Sequence, residues 1–313
     1  MRVLITGISG FVGRHLAASL SAAGHEPWGL DINIEATPEG VHSLEWDLTR
    51  SKGLAKVLDQ IRPDAAVHLA GQASPAAALA DPDGAHEANV TATRNLLSAM
   101  QKACPEAPML FISSAEVYGP GEHLHREDED PAPVNPYGRT KALAEEHALS
   151  AMGQGGPPVI VSRSFPHSGP GQRPDFVLPA FARQVARVEA GLQEPLLRVG
   201  NLDPRRDWLH VNDVCRAYLA LLEKGEPGEI YNVCSGKDHS VREALDYLVN
   251  LTSLKPDIEV DPARVRPVDT PRLVGDAAKL KSATGWEASI DFESLLKELL
   301  NYWRDRVNEE ELR

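Results

Sequence analysis

Arg2-Val3-Leu4-Ile5-Thr6-Gly7-Ile8-Ser9-Gly10-Phe11-Val12-Gly13 reads as a short apolar strand running directly into a glycine-rich turn and the start of a helix. Each glycine has a physical use there. Gly7 permits the tight turn, Gly10 lets a pyrophosphate approach the backbone, and Gly13 lets helix and strand pack closely, while the helix N-terminus attracts phosphate. Directly after a first strand, this pattern predicts a dinucleotide-binding turn with Gly7, Gly10, Phe11, Val12 and Gly13 at the cofactor; the alternative is a purely structural turn. Asp31 closes the next apolar run. A carboxylate there accepts hydrogen bonds from the adenosine ribose and repels a 2′-phosphate, and Ile32-Asn33-Ile34 brings no Arg or Lys to hold such a phosphate. NAD(H) is therefore expected in preference to NADP(H), which stays open. The alternative for Asp31 is a turn cap.

Outward from this stretch, short apolar runs alternate with longer amphipathic ones. Val3–Thr6, Glu26–Asp31, Ala65–Ala70, Met109–Ser113 and Val159–Arg163 read as buried strands. Gly10–Ala23, Ser51–Ile61, Gly84–Ala103 and Tyr137–Met152 read as helices. Such alternation predicts an α/β fold with a doubly wound parallel sheet of the Rossmann type. From about Phe165 the pattern changes to shorter elements with long links. Asp175–Ala190, Asn212–Lys224, Ser240–Thr252, Lys279–Thr284 and Phe292–Arg306 read as helices, Glu229–Val233 as a strand, and Asn308–Arg313 as a frayed end. The expected division is a dinucleotide domain over 1–164, with a return segment near 208–234, and a smaller α/β substrate lobe over 165–313.

Composition narrows the classes. Hydrophobic residues at 42% and charged residues at 25% suit a folded domain with a sizeable core. A net charge of −13 argues against a nucleic-acid partner. No uninterrupted run of about 18 apolar residues suggests a membrane span, and no signal peptide is read at the N-terminus. Cys104, Cys215 and Cys234 are odd in number and lack CxxC spacing, so reduced cytoplasmic thiols are expected, with no disulfide and no metal site.

Tyr137-Gly138-Arg139-Thr140-Lys141 places a phenol and an ammonium one helical turn apart, just after Pro136. A neighbouring ammonium favours phenolate and should lower the Tyr137 pKa toward neutrality. Ser113-Ser114, one strand earlier, brings hydroxyls to the carboxyl edge of the sheet, where ligands bind in such folds. The glycine turn, Ser113-Ser114-Ala115-Glu116-Val117-Tyr118-Gly119 and Pro136-Tyr137-Gly138-Arg139-Thr140-Lys141 together resemble the extended short-chain dehydrogenase/reductase family. Arg163-Ser164-Phe165-Pro166-His167-Ser168-Gly169-Pro170-Gly171-Gln172, Val199-Gly200-Asn201-Leu202, Arg206-Asp207-Trp208, Tyr231-Asn232-Val233-Cys234-Ser235-Gly236 and Arg266-Pro267-Val268-Asp269 narrow the resemblance to its GDP-mannose dehydratases and GDP-6-deoxy-mannose reductases.

The resemblance implies roles. Ser114, Tyr137 and Lys141 match the catalytic hydroxyl, acid/base and lysine; Glu116 stands where the dehydratases carry a base. Asp47 and Leu48 would touch the adenine, and Leu69, Ala70 and Gly71 would lie along the cofactor. Arg206 matches a cation for the substrate diphosphate, and Arg183, Asn201, Arg266 and Asp269 fall where the family contacts the nucleotide sugar; Arg183 reads equally as a solvated helix residue. Pro166 departs from the family's usual Asn and offers neither amide nor N–H. The implied reaction is NAD(P)H-dependent reduction of the C4 ketone of a nucleotide-linked 4-keto-6-deoxy sugar, with a GDP-linked one favoured. A 4,6-dehydratase or epimerase with bound NAD is one alternative, and a non-catalytic dinucleotide sensor is another. The resemblance also implies a homodimer through the helices at Asn89–Ala103 and from Tyr137, although an ordinary core-facing pair would look the same.

Overall fold

The computed structural model describes residues 1–265 and 270–311. In the first half, strands β1 (Arg2–Thr6), β2 (Glu26–Asp31), β3 (His42–Glu45), β4 (Ala65–His68), β5 (Met109–Ser114) and β6 (Val159–Ser164) alternate with helices α1 (Phe11–Ala22), α2 (Leu54–Ile61), α3 (Pro75–Ala80), α4 (Pro82–His86), α5 (Ala92–Ala103) and α6 (Pro136–Met152). The second half adds β7 (His167–Ser168), α7 (Val177–Glu189), β8 (Leu196–Val199), β9 (Arg205–Arg206), β10 (Leu209–His210), α8 (Val211–Lys224), β11 (Ile230–Val233), β12 (His239–Ser240), α9 (Val241–Asn250), β13 (Asp257–Val260), β14 (Arg272–Leu273), α10 (Ala278–Thr284) and α11 (Phe292–Glu311).

Seven parallel strands form the central sheet in the order β11-β6-β5-β4-β1-β2-β3. The order reverses between β1 and β4, and a crevice opens outside the carboxyl ends of the strands at such a switch point. Alternating side chains send Val3, Ile5, Val67, Leu110, Ile112 and Ile160 to one face, where α1 and α8 cover them. Leu4, Leu30, Ala66, Met109, Phe111, Val159 and Val161 go to the other, beneath α2, α5 and α6. Residues buried on both faces explain why these strands read as continuous apolar runs. A separate core of α7, α9 and α11, around Phe181, Leu245, Leu299 and Trp303, holds the second lobe together.

Several elements differ from the expectation. β3 was not anticipated; His42-Ser43-Leu44-Glu45 is a half-polar edge strand with no apolar run to mark it. The helix expected over 84–103 is broken into α4, a π-turn over Glu87–Thr91, and α5. Ahead of it stands an unanticipated α3, started by Ser74, which accepts from the Ala77 amide, and by Pro75 in the first turn. β4 stops at His68, because Leu69–Gly71 turns out of the sheet toward the β1 loop. The last helix continues to Glu311 rather than fraying at Arg306.

Candidate active site

The glycine turn has the shape a dinucleotide needs. Gly7 has φ of 77°, and a Cβ on it would lie 2.9 Å from the Ala70 amide nitrogen. A Cβ on Gly13 would clash with the Gly7 carbonyl oxygen, so α1 can sit this close to β1 only with glycine there. No side chain caps α1: Gly10 is its N-cap, which leaves the first-turn amides, including those of Phe11, Val12 and Gly13, to an incoming anion. The turn is braced from both sides. Leu69 N donates to the Thr6 carbonyl at 3.1 Å and Ala70 N to the Thr6 hydroxyl at 3.2 Å, so 69–71 lies along the turn. Asp31 Oδ2 accepts from the Ser9 amide at 3.0 Å and Oδ1 from Ile32 N at 2.8 Å. Its carboxylate thus stands beside the glycine loop at the end of β2, and the turn-cap reading is also partly right. Asp47 bonds Thr49, and Leu48 is buried, its carbonyl held by Asn95 at 2.9 Å.

Ser114 ends β5, and Tyr137 and Lys141 lie in the first two turns of α6; all three are buried. Asn135 fixes the start of that helix by accepting from Gly138 N at 2.8 Å, with Pro136 at N1. Asn135 Nδ2 also donates to Glu116 Oε2 at 2.8 Å, so one side chain sets both the Tyr137 helix and the Glu116 carboxylate. The Ser114 hydroxyl, which accepts from Glu116 N at 3.2 Å, is near enough to the Tyr137 phenol to lower its pKa.

The electrostatics overturn one expectation. Lys141 does not pull the phenol toward neutrality. Its Nζ donates to the Ile112 carbonyl at 2.6 Å and sits 5.2 Å from the centre of the Phe111 ring. Burial, opposed by Glu145, brings the ammonium down to about 8. Tyr137 is pushed up to about 12: burial dominates, the Ser114 hydrogen bond acts in the other direction, and the Glu116 charge adds to the rise. At neutral pH the phenol keeps its proton and is set up as a donor.

Sequence reasoning missed the polar network beneath the site. Thr93 gives its hydroxyl proton to the Asn89 carbonyl at 2.6 Å, so it must accept from His68 Nε2 at 2.9 Å. His68 Nδ1 is then the acceptor for the Thr6 hydroxyl at 2.7 Å. Burial, with Lys141 nearby, holds His68 down to about 3, so it stays neutral as that pattern requires. Asn89 sits in the π-turn, accepts from Gln72 N at 2.8 Å, and donates to Thr140 Oγ1 at 2.8 Å, which donates to the Tyr137 carbonyl at 2.8 Å. A continuous chain of hydrogen bonds thus joins the glycine turn to the Tyr137 helix. The signal available in sequence was polar residues inside apolar runs, such as His68 in Ala65–Ala70.

The positions expected on the substrate side fall in the second half of the chain. Arg206 is buried and donates from one guanidinium nitrogen to the carbonyls of Thr270 at 2.6 Å and Arg205 at 2.9 Å. Arg205 points elsewhere, pairing with Asp238 at 2.8 Å and Glu243 at 3.1 Å. Asp207, buried beside it, accepts from Ser235 and Gly236. Arg183 is half-buried on α7 and, with Arg187, Arg198 and Arg264, lines a cavity of about 410 Å³. Asn201 is exposed and accepts from Asp203 N at 3.1 Å. Arg266 and Asp269 lie outside the described residues. Pro166 is half-buried, and its carbonyl accepts from Leu209 N at 2.9 Å, tying the segment after β6 to β10. Further along that segment, Pro170 and Gly171 carbonyls bond His15 at 2.9 Å and Arg14 at 3.1 Å on α1.

Comparison with known proteins agrees with this architecture. The profile of the GDP-mannose 4,6 dehydratase family matches residues 4–299. GDP-6-deoxy-D-mannose reductase of Pseudomonas aeruginosa is 40% identical, over 99% of both chains. GDP-mannose 4,6 dehydratase 2 of Arabidopsis thaliana is 29% identical over 95% of this chain and 85% of its own. Among solved structures, RMD from Pseudomonas aeruginosa in complex with NADPH superposes with a TM-score of 0.86 at 38% identity, covering 97% of this chain and 99% of that one. UDP-glucose 4-epimerase of Thermus thermophilus in complex with NAD gives 0.87 at 31%, over 97% and 99%. With its parallel sheet, its glycine turn and its full-length match, the chain belongs to the GDP-mannose 4,6 dehydratase family of extended short-chain dehydrogenase/reductases.

Proposed function

We propose that the chain is a nicotinamide-dependent oxidoreductase that reduces the C4 ketone of GDP-4-keto-6-deoxy-D-mannose to give GDP-6-deoxy-D-mannose (GDP-D-rhamnose). The carrying observation is the buried Tyr137, its phenol pushed up by burial, on the helix beside Ser114 at the carboxyl edge of the sheet, in a chain 40% identical end to end with a reductase of that name. The glycine turn, Asp31, Asp47, Leu48 and 69–71 would hold the dinucleotide, and Lys141 its nicotinamide ribose. The reduced nicotinamide supplies the hydride. Tyr137 gives its proton to the oxygen that becomes the C4 hydroxyl, and Ser114 hydrogen-bonds that same oxygen, so charge is stabilised where it develops. In this reading Glu116, held by Asn135, orients the sugar and removes no proton from it.

In the same reading residues 1–164 with the return segment near 208–234 form the cofactor half and the rest of 165–313 the substrate lobe. Arg206 faces the diphosphate, and Arg183, Asn201, Arg266 and Asp269 belong to the nucleotide side. Assembly is a homodimer through α5 and α6, which sedimentation can check. Among the described residues no helix is long and apolar enough to cross a membrane; the three free thiols, two of them buried, suit the reducing cytoplasm.

The deciding experiment follows absorbance at the NADH wavelength with the 4-keto sugar nucleotide. Stoichiometric loss of NADH supports the reductase. Dehydration of GDP-mannose without net cofactor change would replace it with the dehydratase reading, and inertness toward both would leave a sensor. NADH is the preferred donor because the Asp31 carboxylate would face a 2′-phosphate. Asp31→Ala should narrow the ratio of kcat/KM for NADH over NADPH, and a wild-type preference for NADPH would refute the assignment.

A further inference from the structure

The segment between Gly119 and Asn135 carries a cluster that the proposed reaction does not use. His123 Nε2 and His125 Nδ1 converge on the same oxygen, Glu129 Oε2, at 3.2 and 2.8 Å. The other carboxylate oxygen, Oε1, is tied to the Arg126 amide at 2.6 Å, which leaves Oε2 to the two imidazoles. Burial opposes ionisation of Glu129, but the hydrogen bonds from His125, the Arg126 amide and His123 outweigh it and hold the carboxyl below its ordinary value. His125 is only 1% exposed, its ring stacked on Tyr118 with centroids 4.9 Å apart. Its Nε2 is sealed among the described residues without a hydrogen-bond partner, so Nδ1 is the nitrogen that can serve a ligand. Gly121 allows the rings to close up: a Cβ there would lie 2.9 Å from His125 Cε1 and 3.0 Å from His123 Cε1.

We propose that His123, His125 and Glu129 form a site for a divalent transition-metal cation of the zinc class. Two imidazoles and a carboxylate are the donor set such ions choose, whereas magnesium and calcium prefer oxygen alone. The three donor atoms lie within 4.8 Å of one another. Ligand bonds of about 2.0–2.2 Å imply donor separations of roughly 3.3–3.5 Å in a tetrahedral site. The two His–Glu separations, 3.2 and 2.8 Å, would open to reach that value, and the two imidazole nitrogens, within 4.8 Å of each other, would draw together on the ion. The segment's charge favours a cation, since residues 122–130 carry Glu122, Glu127, Asp128 and Asp130 besides Glu129, against Arg126 alone. His123 is the exposed ligand, so the ion would enter from solvent and keep a water in its fourth position.

The location gives the ion a structural effect. His125 N donates to the Val274 carbonyl at 2.9 Å and its carbonyl accepts from Asp276 N at 2.9 Å, while Arg272 reaches the Glu122 carbonyl. The ion would therefore fasten the segment after Gly119 where it joins residues 272–276, the stretch that begins with β14.

The test is zinc uptake by chelator-stripped protein in competition with a chromogenic zinc indicator. One equivalent is expected for the wild type and for His42→Ala, a distant surface histidine control. His123→Ala and Glu129→Gln should weaken uptake by at least about tenfold, with unchanged circular dichroism in the absence of metal, and excess magnesium should not compete. No uptake by the wild type, or equal uptake by either ligand variant, would overturn the proposal and leave a hydrogen-bonded His–Glu cluster.

Discussion

In the proposed reaction Tyr137 gives up one proton and nothing else, which makes its removal informative. Tyr137→Phe should keep the fold and the affinity for NADH but lower kcat by about 10²–10⁴, the usual contribution of a positioned acid; a variant within a few-fold of wild type would mean that another group donates. The arginine pair makes a second test. Arg206→Ala should raise KM for the nucleotide sugar tenfold or more, since a lost charged hydrogen bond costs roughly 1.5–3 kcal/mol. Arg205 is already engaged by Asp238 and Glu243, so Arg205→Ala should leave KM alone. Thermal midpoints of both variants separate binding from folding, because Arg206 is buried. Positions such as Gly7, Tyr137 and Lys141 could be singled out in the sequence because short local patterns mark them, the glycine spacing after a strand and a Tyr and Lys four apart. Asn135 and Asn89 were not. Asn135 reaches back 19 positions to Glu116, and Asn89 reaches Thr140 across 51, which no local pattern records.

At the scale of elements, α6 is fixed to β6 by a buried ion pair. Arg163 donates to Glu145 through two nitrogens, at 2.6 and 3.2 Å, and its guanidinium lies 4.7 Å from the centre of the Tyr118 ring. Removing one partner leaves a charge sealed in the interior. Glu145→Ala should therefore cost about 3–5 kcal/mol in urea denaturation, and replacing both residues by apolar ones of similar size should recover most of it. If the single variant is as stable as wild type, the pair does not brace α6. The long parallel strands were readable because burial on both faces demands unbroken apolar runs. β3 and the broken helix around Asn89 were not, since an edge strand needs little apolar surface and a π-turn has no periodicity of its own.

For the whole molecule, acid is the natural stress. Burial holds His68, His167 and His210 below the ordinary histidine value; Phe165 O opposes this at His167, and Glu298 and Asp213 oppose it at His210. A depressed imidazole contributes stability above its unfolded value, lost as pH falls toward the folded one. Asp207, raised to about 6 chiefly by burial against its hydrogen bonds from Ser235, Gly236 and Gly275, has the opposite sign: its contribution is complete below the unfolded carboxylate range and is lost as pH rises through 6. Three histidines outweigh one aspartate, so the chain should lose stability from pH 6.5 downward. His68→Gln should flatten that slope by about one proton, roughly 1.4 kcal/mol per pH unit. Urea midpoints across the range check it, and an unchanged slope would count against a neutral His68.

β11 joins the sheet beside β6 although residues 165–229 separate them, pairing Ile230 with Val161 and Val233 with Ser164. A gene cut after Ser164 would leave β6 as a bare edge, with unpaired amides and carbonyls along Val159–Ser164 ready to template another chain. The halves of this protein are thus not exchangeable cassettes. A chimera that grafts a relative's specificity lobe must either import the returning strand with it or retain the native one, and a library shuffled at the apparent boundary would be enriched in aggregates.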